Sequence, residues 1–169
     1  SLTWQGYIRL KVTEHKATAI AVLDKLKVVN ADGQPFASIL PSEIQGLPLI
    51  SGLSPELFNR SPKDKLIGQY WLSQGIELAQ QIKNIGLDKQ RKLSDIHISE
   101  AGRYEIMLDK IRISLGLDML KERLIEVEKI LNQLDSKGVT AAYILLSDDL
   151  NRAIVKEIPI TADDTESLK

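Results

Sequence analysis

Between Tyr104 and Leu134 the spacing of apolar residues changes once, at Gly116. Before that point YEIML and IRISL are two short apolar, β-branched runs separated by Asp109-Lys110. This is the pattern of a two-residue hairpin, although Asp-Lys is a poorer turn than Asn-Gly or Asp-Gly. After it, Leu120, Leu124, Val127, Leu131 and Leu134 recur at the helical period and form one stripe. A helix with one apolar stripe needs a surface to cover, and the adjoining hairpin is the nearest. The rest of the chain reads as further strands and one further helix added to that unit.

Upstream, Ile8, Leu10 and Val12 alternate with Arg9, Lys11 and Thr13, which predicts a half-exposed strand. Two more apolar runs follow at Ala17–Leu23 and Leu26–Val29, and Asn30-Ala31-Asp32-Gly33 supplies turn chemistry. Residues 35–62 hold five of the six prolines. They predict an ordered, irregular crossing around Leu47, Leu49, Ile50 and Leu53, too apolar for a flexible linker. From Lys63 to Ile85 a second stripe (Ile67, Trp71, Leu78, Ile82, Ile85) predicts a helix that Gly86 stops. Gly75 inside it costs about 1 kcal/mol against alanine unless it admits a close neighbour.

Leu93–Ser99 predicts a strand with Ile96 and Ile98 on one face and His97 on the other. Ala142–Leu146 is apolar on both faces, as a central strand should be. Ser147–Asn151 is a polar turn, Arg152–Ile158 a last strand stopped by Pro159, and residues 161–169 a disordered tail. These elements predict an α+β fold: a mainly antiparallel sheet with two amphipathic helices packed on it.

Composition narrows the function classes. With 22 basic and 23 acidic residues the formal charge is -1, so net charge gives no drive towards nucleic acid. There is no cysteine, which removes disulfides, thiolate nucleophiles and cysteine metal sites. No apolar run reaches the roughly 18 residues a membrane span needs. His15 and His97 stand far apart without HxH, HxxxH or HExxH spacing, so no metal site and no cofactor is expected. Asp148-Asp149 and Asp163-Asp164 sit in turn and tail sequence, where aspartate favours backbone bonding over acid-base chemistry. No GxSxG, P-loop or GxGxxG motif occurs, and the run KERLIEVEK reads as a solvated helix face. No catalytic residue is assigned.

Five segments in order resemble the bacterial cell-division family FtsQ/DivIB. IRLKVTEHKATAIAVL resembles the end of a POTRA domain entering the family's β-domain, with Ala17 where the family has proline. VVNADGQPF resembles its hairpin and LPLISGL its LP-x-[LI]-x-G step. LDKIRISLGLDMLKERLIEVEKIL resembles its strand, LG turn and E-R-L helix. AAYILLSDD with RAIVK resembles its closing strands, Ile144 replacing an acidic residue.

The resemblance implies residues 1–16 as a POTRA remnant and 17–160 as an FtsQ/DivIB-type β-domain. It also implies a non-enzymatic scaffold at the inner membrane, single-pass, with this domain extracytoplasmic and the N-terminal membrane helix outside the sequence. Expected partners are division proteins of the FtsB/DivIC and FtsL type, bound by strand addition along Arg152, Ala153, Ile154, Val155, Lys156 and Glu157. The physics of an unpaired edge agrees, since its free N–H and C=O groups can be satisfied by another chain. The same stretch also fits an ordinary edge protected by Lys156 and Pro159. Two rival functions are a POTRA-type polypeptide-binding module, which should show a repeat absent from this sequence, and a small-molecule enzyme. The enzyme would need a pocket gathering His97, Glu14 or the aspartates.

Overall fold

The computed structural model describes residues 14–43, 46–147 and 152–159. The predicted strand at Ile8–Val12, the turn residues 148–151 and the tail 161–169 lie outside them. Nine strands form one sheet: β1 (Ala19–Val22), β2 (Leu26–Val29), β3 (Pro35–Ser38), β4 (Leu49–Ser51), β5 (Leu93–Ile98), β6 (Tyr104–Leu108), β7 (Ile111–Gly116), β8 (Val139–Leu146) and β9 (Ala153–Pro159). The order across the sheet is β3-β2-β1-β4-β5-β6-β7-β8-β9. Two long helices, α2 (Pro62–Asn84) and α4 (Leu120–Lys137), accompany two single-turn helices, α1 (Glu56–Asn59) and α3 (Leu87–Gln90).

The fold is α+β as predicted, but the sheet is mixed. β1–β4, β4–β5 and β7–β8 run parallel, and the other neighbours antiparallel. For two of these pairs, β4–β5 and β7–β8, the cause is in the helices. α2 lies between β4 and β5 in the chain, and α4 lies between β7 and β8. A helix that crosses over a sheet returns the chain in its starting direction, so the strands it joins are parallel. The 35–62 crossing is also more regular than expected, since it contains β3, α1 and the three-residue β4. A strand this short, wedged between Pro48 and Gly52, offers too few residues for its period to be read.

Ser61 caps α2 from both directions: Asp64 N donates to its Oγ at 3.1 Å, and that Oγ donates to the Asp64 carboxylate at 2.8 Å. Pro62 at the first helical position has no N–H to lose. The helix buries Gly68, Leu72, Gly75, Ile76, Leu78, Ala79 and Ile82; the expected Leu78 and Ile82 are among them, Trp71 and Ile85 pack on the core half-buried, and the stripe is centred away from Ile67. Gly75 explains the rotation. A Cβ there would meet the Ile50 and Ile98 methyls at 3.2 and 3.4 Å, so its bare backbone lets α2 settle onto β4 and β5.

α4 buries Leu124, Val127, Leu131 and Leu134 as predicted, and it packs on β7 and β8. Along β5, β6 and β7 the buried residues alternate with half-exposed or exposed ones, so the helices cover one face of the sheet. The other face is open at β5–β7, whereas in β1 Ala19, Ile20 and Ala21 are all buried. β8 is longer than Ala142–Leu146 and is not apolar-buried on both sides, because Leu145 is exposed and Tyr143 half-exposed on the open face.

Gly33 closes the β2–β3 turn at φ +73, and a Cβ there would overlap the Gln69 carbonyl of α2. Gly46 has a similar φ of +67 with nothing within 4 Å. Gly46→Ala should therefore cost about 1 kcal/mol of left-handed strain. Gly33→Ala, which adds the clash, should cost roughly 2 kcal/mol or more. Urea midpoints of the two variants against the parent check the order.

Candidate functional site

β9 is the last strand of the sheet and pairs with β8 alone among the described residues. Its register is fixed from Leu146↔Ala153 to Val139↔Pro159, with a bulge in β8 between Ala141 and Tyr143. Ser147 N donates to Arg152 O at 2.9 Å, which makes those two a hydrogen-bonded pair. Alternation along an antiparallel ladder then turns the main-chain groups of Arg152, Ile154 and Lys156 towards β8. Those of Ala153, Val155 and Glu157 point outward. β9 is the regular member of the pair, so the alternation continues past the bulge. Pro159, with no N–H to offer, closes the run.

The side chains divide the same way. Val155 packs against the hydrophobic core, and Glu157 faces Lys137 of α4 at 3.5 Å, so the odd positions lie on the helix face. Ile154, Lys156 and Ile158 lie on the open face, where Ile154 is 64% exposed. Leu145, opposite Ile154 in the register, is exposed beside it. The edge therefore offers three outward N–H groups and a short apolar strip interrupted by one lysine. β3, at the other end of the sheet, has four residues, starts on Pro35 and carries a register shift. It is a shorter and less regular template.

Arg123 holds this edge to the body of the molecule, and it corrects the reading of KERLIEVEK as a solvated face. It is 2% exposed. Its guanidinium lies against Gly116, where a Cβ would stand 3.4 Å from Nη1, and Nη1 donates to the Ser147 carbonyl at 2.9 Å. One buried side chain thus ties α4 to the end of β7 and to the last residue before the β8–β9 connection. The signal was in the sequence, since Arg123 stands four residues before Val127 on the apolar stripe. A charge at a stripe position is expected to be buried with partners.

The histidines do not meet. The His15 ring stacks on Phe36 at 5.2 Å and its Nδ1 lies 3.0 Å from Asn30 Nδ2, near the β3 edge. His97 sits on the open face with Ser51 and Asp95. Ser51 Oγ is 2.6 Å from Asp95 Oδ2 and 3.1 Å from His97 Nδ1. These are the residue types of a nucleophilic triad in the wrong order. The hydroxyl gives its proton to the Asp95 carboxylate rather than to the imidazole, which is not the order in which a triad relays it. The cluster braces β4 against β5. Glu14 is not part of it, and the aspartates at 148, 149, 163 and 164 lie outside the described residues.

Residues 19–147 match the family model described as cell division protein FtsQ/DivIB, C-terminal. The chain belongs to the FtsQ/DivIB family. Membership brings a role in cell division. Among curated relatives, the cell division protein FtsQ of Myxococcus fulvus (strain ATCC BAA-855 / HW-1) is 24% identical over 141 residues, covering 83% of this chain and 49% of that protein. FtsQ of Anaeromyxobacter sp. (strain K) is 25% identical over 149 residues, covering 86% of this chain and 49% of that protein. The chain spans about half the length of these relatives. No helix among the described residues is long and apolar enough to cross a membrane.

Arg123→Met keeps the bulk of the stem but removes the guanidinium that donates to the Ser147 carbonyl. A hydrogen bond to a charged group contributes about 1.5–3 kcal/mol, so the urea midpoint should fall by a corresponding amount. NMR shift changes should concentrate in β8 and β9 and leave α2 near its parent values.

Proposed function

We propose that this domain is a non-enzymatic, extracytoplasmic scaffold of the division machinery that captures proteins of the FtsB/DivIC and FtsL type by strand addition along β9. In this reading residues 1–16 end a POTRA domain and residues 17–160 form the β-domain. A membrane helix N-terminal to this sequence anchors the whole to the inner membrane.

The observation that carries the proposal is the seven-residue edge with outward main-chain groups at Ala153, Val155 and Glu157. Each such N–H is solvated in the free domain, so a partner strand exchanges water for a peptide carbonyl and gains affinity residue by residue. Arg152, Ile154, Lys156 and Glu157 contribute side chains. Ile154 and Ile158 give an incoming strand an apolar strip to cover on the open face, and Lys156 between them selects against a basic residue opposite. Val155 completes the helix-side core.

Val155→Pro removes an N–H that points away from β8 and fits an edge strand, where proline is tolerated. The variant should fold, with far-UV circular dichroism close to the parent, and lose at least tenfold in affinity for the soluble region of an FtsB/DivIC-type partner. Val155→Ala keeps the N–H and controls for lost packing; it should bind within a few fold of the parent. Undiminished binding by a folded proline variant would exclude strand addition at this edge. Calorimetric titration of the three proteins makes the comparison.

A further inference from the structure

Among the described residues, exposed apolar side chains occur at the β9 edge, at Phe36 and Leu40 by β3, and between α2 and the first turn of α4. Tyr70 is 61% exposed, Leu117 55% and Met119 48%. All three line a cavity of about 430 Å³. Exposed Leu66 lies one helical turn before Tyr70, and exposed Ile125 begins the next turn of α4. Scattered exposed apolar residues are ordinary, but a contiguous group rimming a concavity marks a binding surface.

The concavity is built rather than left over. Its floor is Trp71, which lies so close to Gly102 (φ +74) that a Cβ there would stand 2.9 Å from the indole. Tyr104 donates its hydroxyl to the Trp71 carbonyl at 3.0 Å. Burial first, and Tyr70 second, push the Tyr104 phenol above its ordinary value, so it stays a protonated donor. The rim breaks a local rule. Met119 occupies the N-cap of α4 at φ 54, without a side-chain hydrogen bond to the first turn. A serine, aspartate or asparagine would cap better by about 1 kcal/mol, and left-handed backbone is costly for a long side chain. The conformation turns a methionine out beside Leu117 at the helix entrance, and methionine adapts to varied apolar partners.

We propose that this groove is a second docking site, for an amphipathic helix with basic flanks carried by another protein. A helix is the fitting shape because one wall is the length of α2 from Tyr70 to Gln81 and the other is the entrance and first turn of α4, and helix ridges accept another helix along their grooves. Strand addition has no free ladder here. Basic flanks follow from the walls: Glu77, Asp118 and Glu122 line the groove against Lys121 alone. The same excess argues against a second copy of this chain, since a symmetric pairing would set those carboxylates against their own counterparts. The chain's own C-terminal stretch TADDTESLK is acidic as well. The site does not rest on the β9 reading, and the two faces are separated by α4.

The test uses the whole 169-residue chain and a synthetic 14-residue helical peptide with leucine at i, i+3, i+4 and i+7 and lysine on the flanks. A twin peptide carries glutamate in place of each lysine. The parent should bind the lysine peptide at least tenfold more tightly than the glutamate twin by fluorescence anisotropy. Glu77→Lys with Glu122→Lys should reverse that order, which nonspecific apolar adhesion would not do. Tyr70→Ala with Leu117→Ala, both at exposed positions, should weaken the lysine peptide at least tenfold, while Val155→Pro leaves it unchanged. Equal binding of the two peptides, failure of the charge exchange to reverse them, or indifference to Tyr70 and Leu117 would overturn the proposal. So would a concentration-dependent dimer abolished by the Tyr70 and Leu117 changes, which would assign the groove to a second copy.

Discussion

A strand needs a neighbour on each side before its main-chain groups are all paired, and the sheet described here ends on a strand with one neighbour. Among the described residues no second strand pairs with the outer groups of β9, which leaves them to water. That arrangement is stable but replaceable, and it is the source of the domain's capacity to take up another chain. Proteins usually blunt such edges by shortening or bulging them or by adding prolines. β3 follows that practice, with four residues, a proline and a register shift. β9 follows it only at its end, where Pro159 stops the ladder. Its bulge is carried by the inner partner β8, so the outward side of β9 stays regular.

A free edge captures a partner only if it is held in place beforehand, because ordering a loose strand at the moment of binding consumes binding energy. Two contacts supply that order. Val155 is anchored in the core that α4 builds on β7 and β8. Arg123 joins α4, Gly116 and the Ser147 carbonyl at the start of the β8–β9 connection. The Lys137–Glu157 pair at the far end of the strand is exposed and adds little energy. The helix that was expected simply to cover a hairpin therefore also sets the position of the strand beyond it.

Much of this was legible in the residues, and the failures have physical reasons. The change of period at Gly116 located the β6–β7 hairpin and α4, and the alternation of Ile96, His97 and Ile98 gave β5 its two faces. The parallel pairs were missed, although a helix between two strands implies two of the three, β4–β5 and β7–β8, once it is treated as a crossover. β4 was missed because three residues carry no period. Arg123 was hidden because a charged residue inside a charged run reads as solvated unless its place on the stripe is counted. Of the edge residues, sequence could nominate 152–157 but not separate Ala153, Val155 and Glu157 from their neighbours. That separation depends on a single hydrogen bond, Ser147 N to Arg152 O.

Residue-resolved amide exchange, with and without an FtsB/DivIC-type partner, addresses the central claim most directly. In the free domain the amides of Ala153, Val155 and Glu157 should exchange much faster than those of Ile154 and Lys156, which are tied to β8. With partner bound, the three fast amides should become protected and the inner ones change little, giving a period of two along β9. Protection that falls evenly on the strand, or that spares it while appearing elsewhere on the surface, would contradict the account.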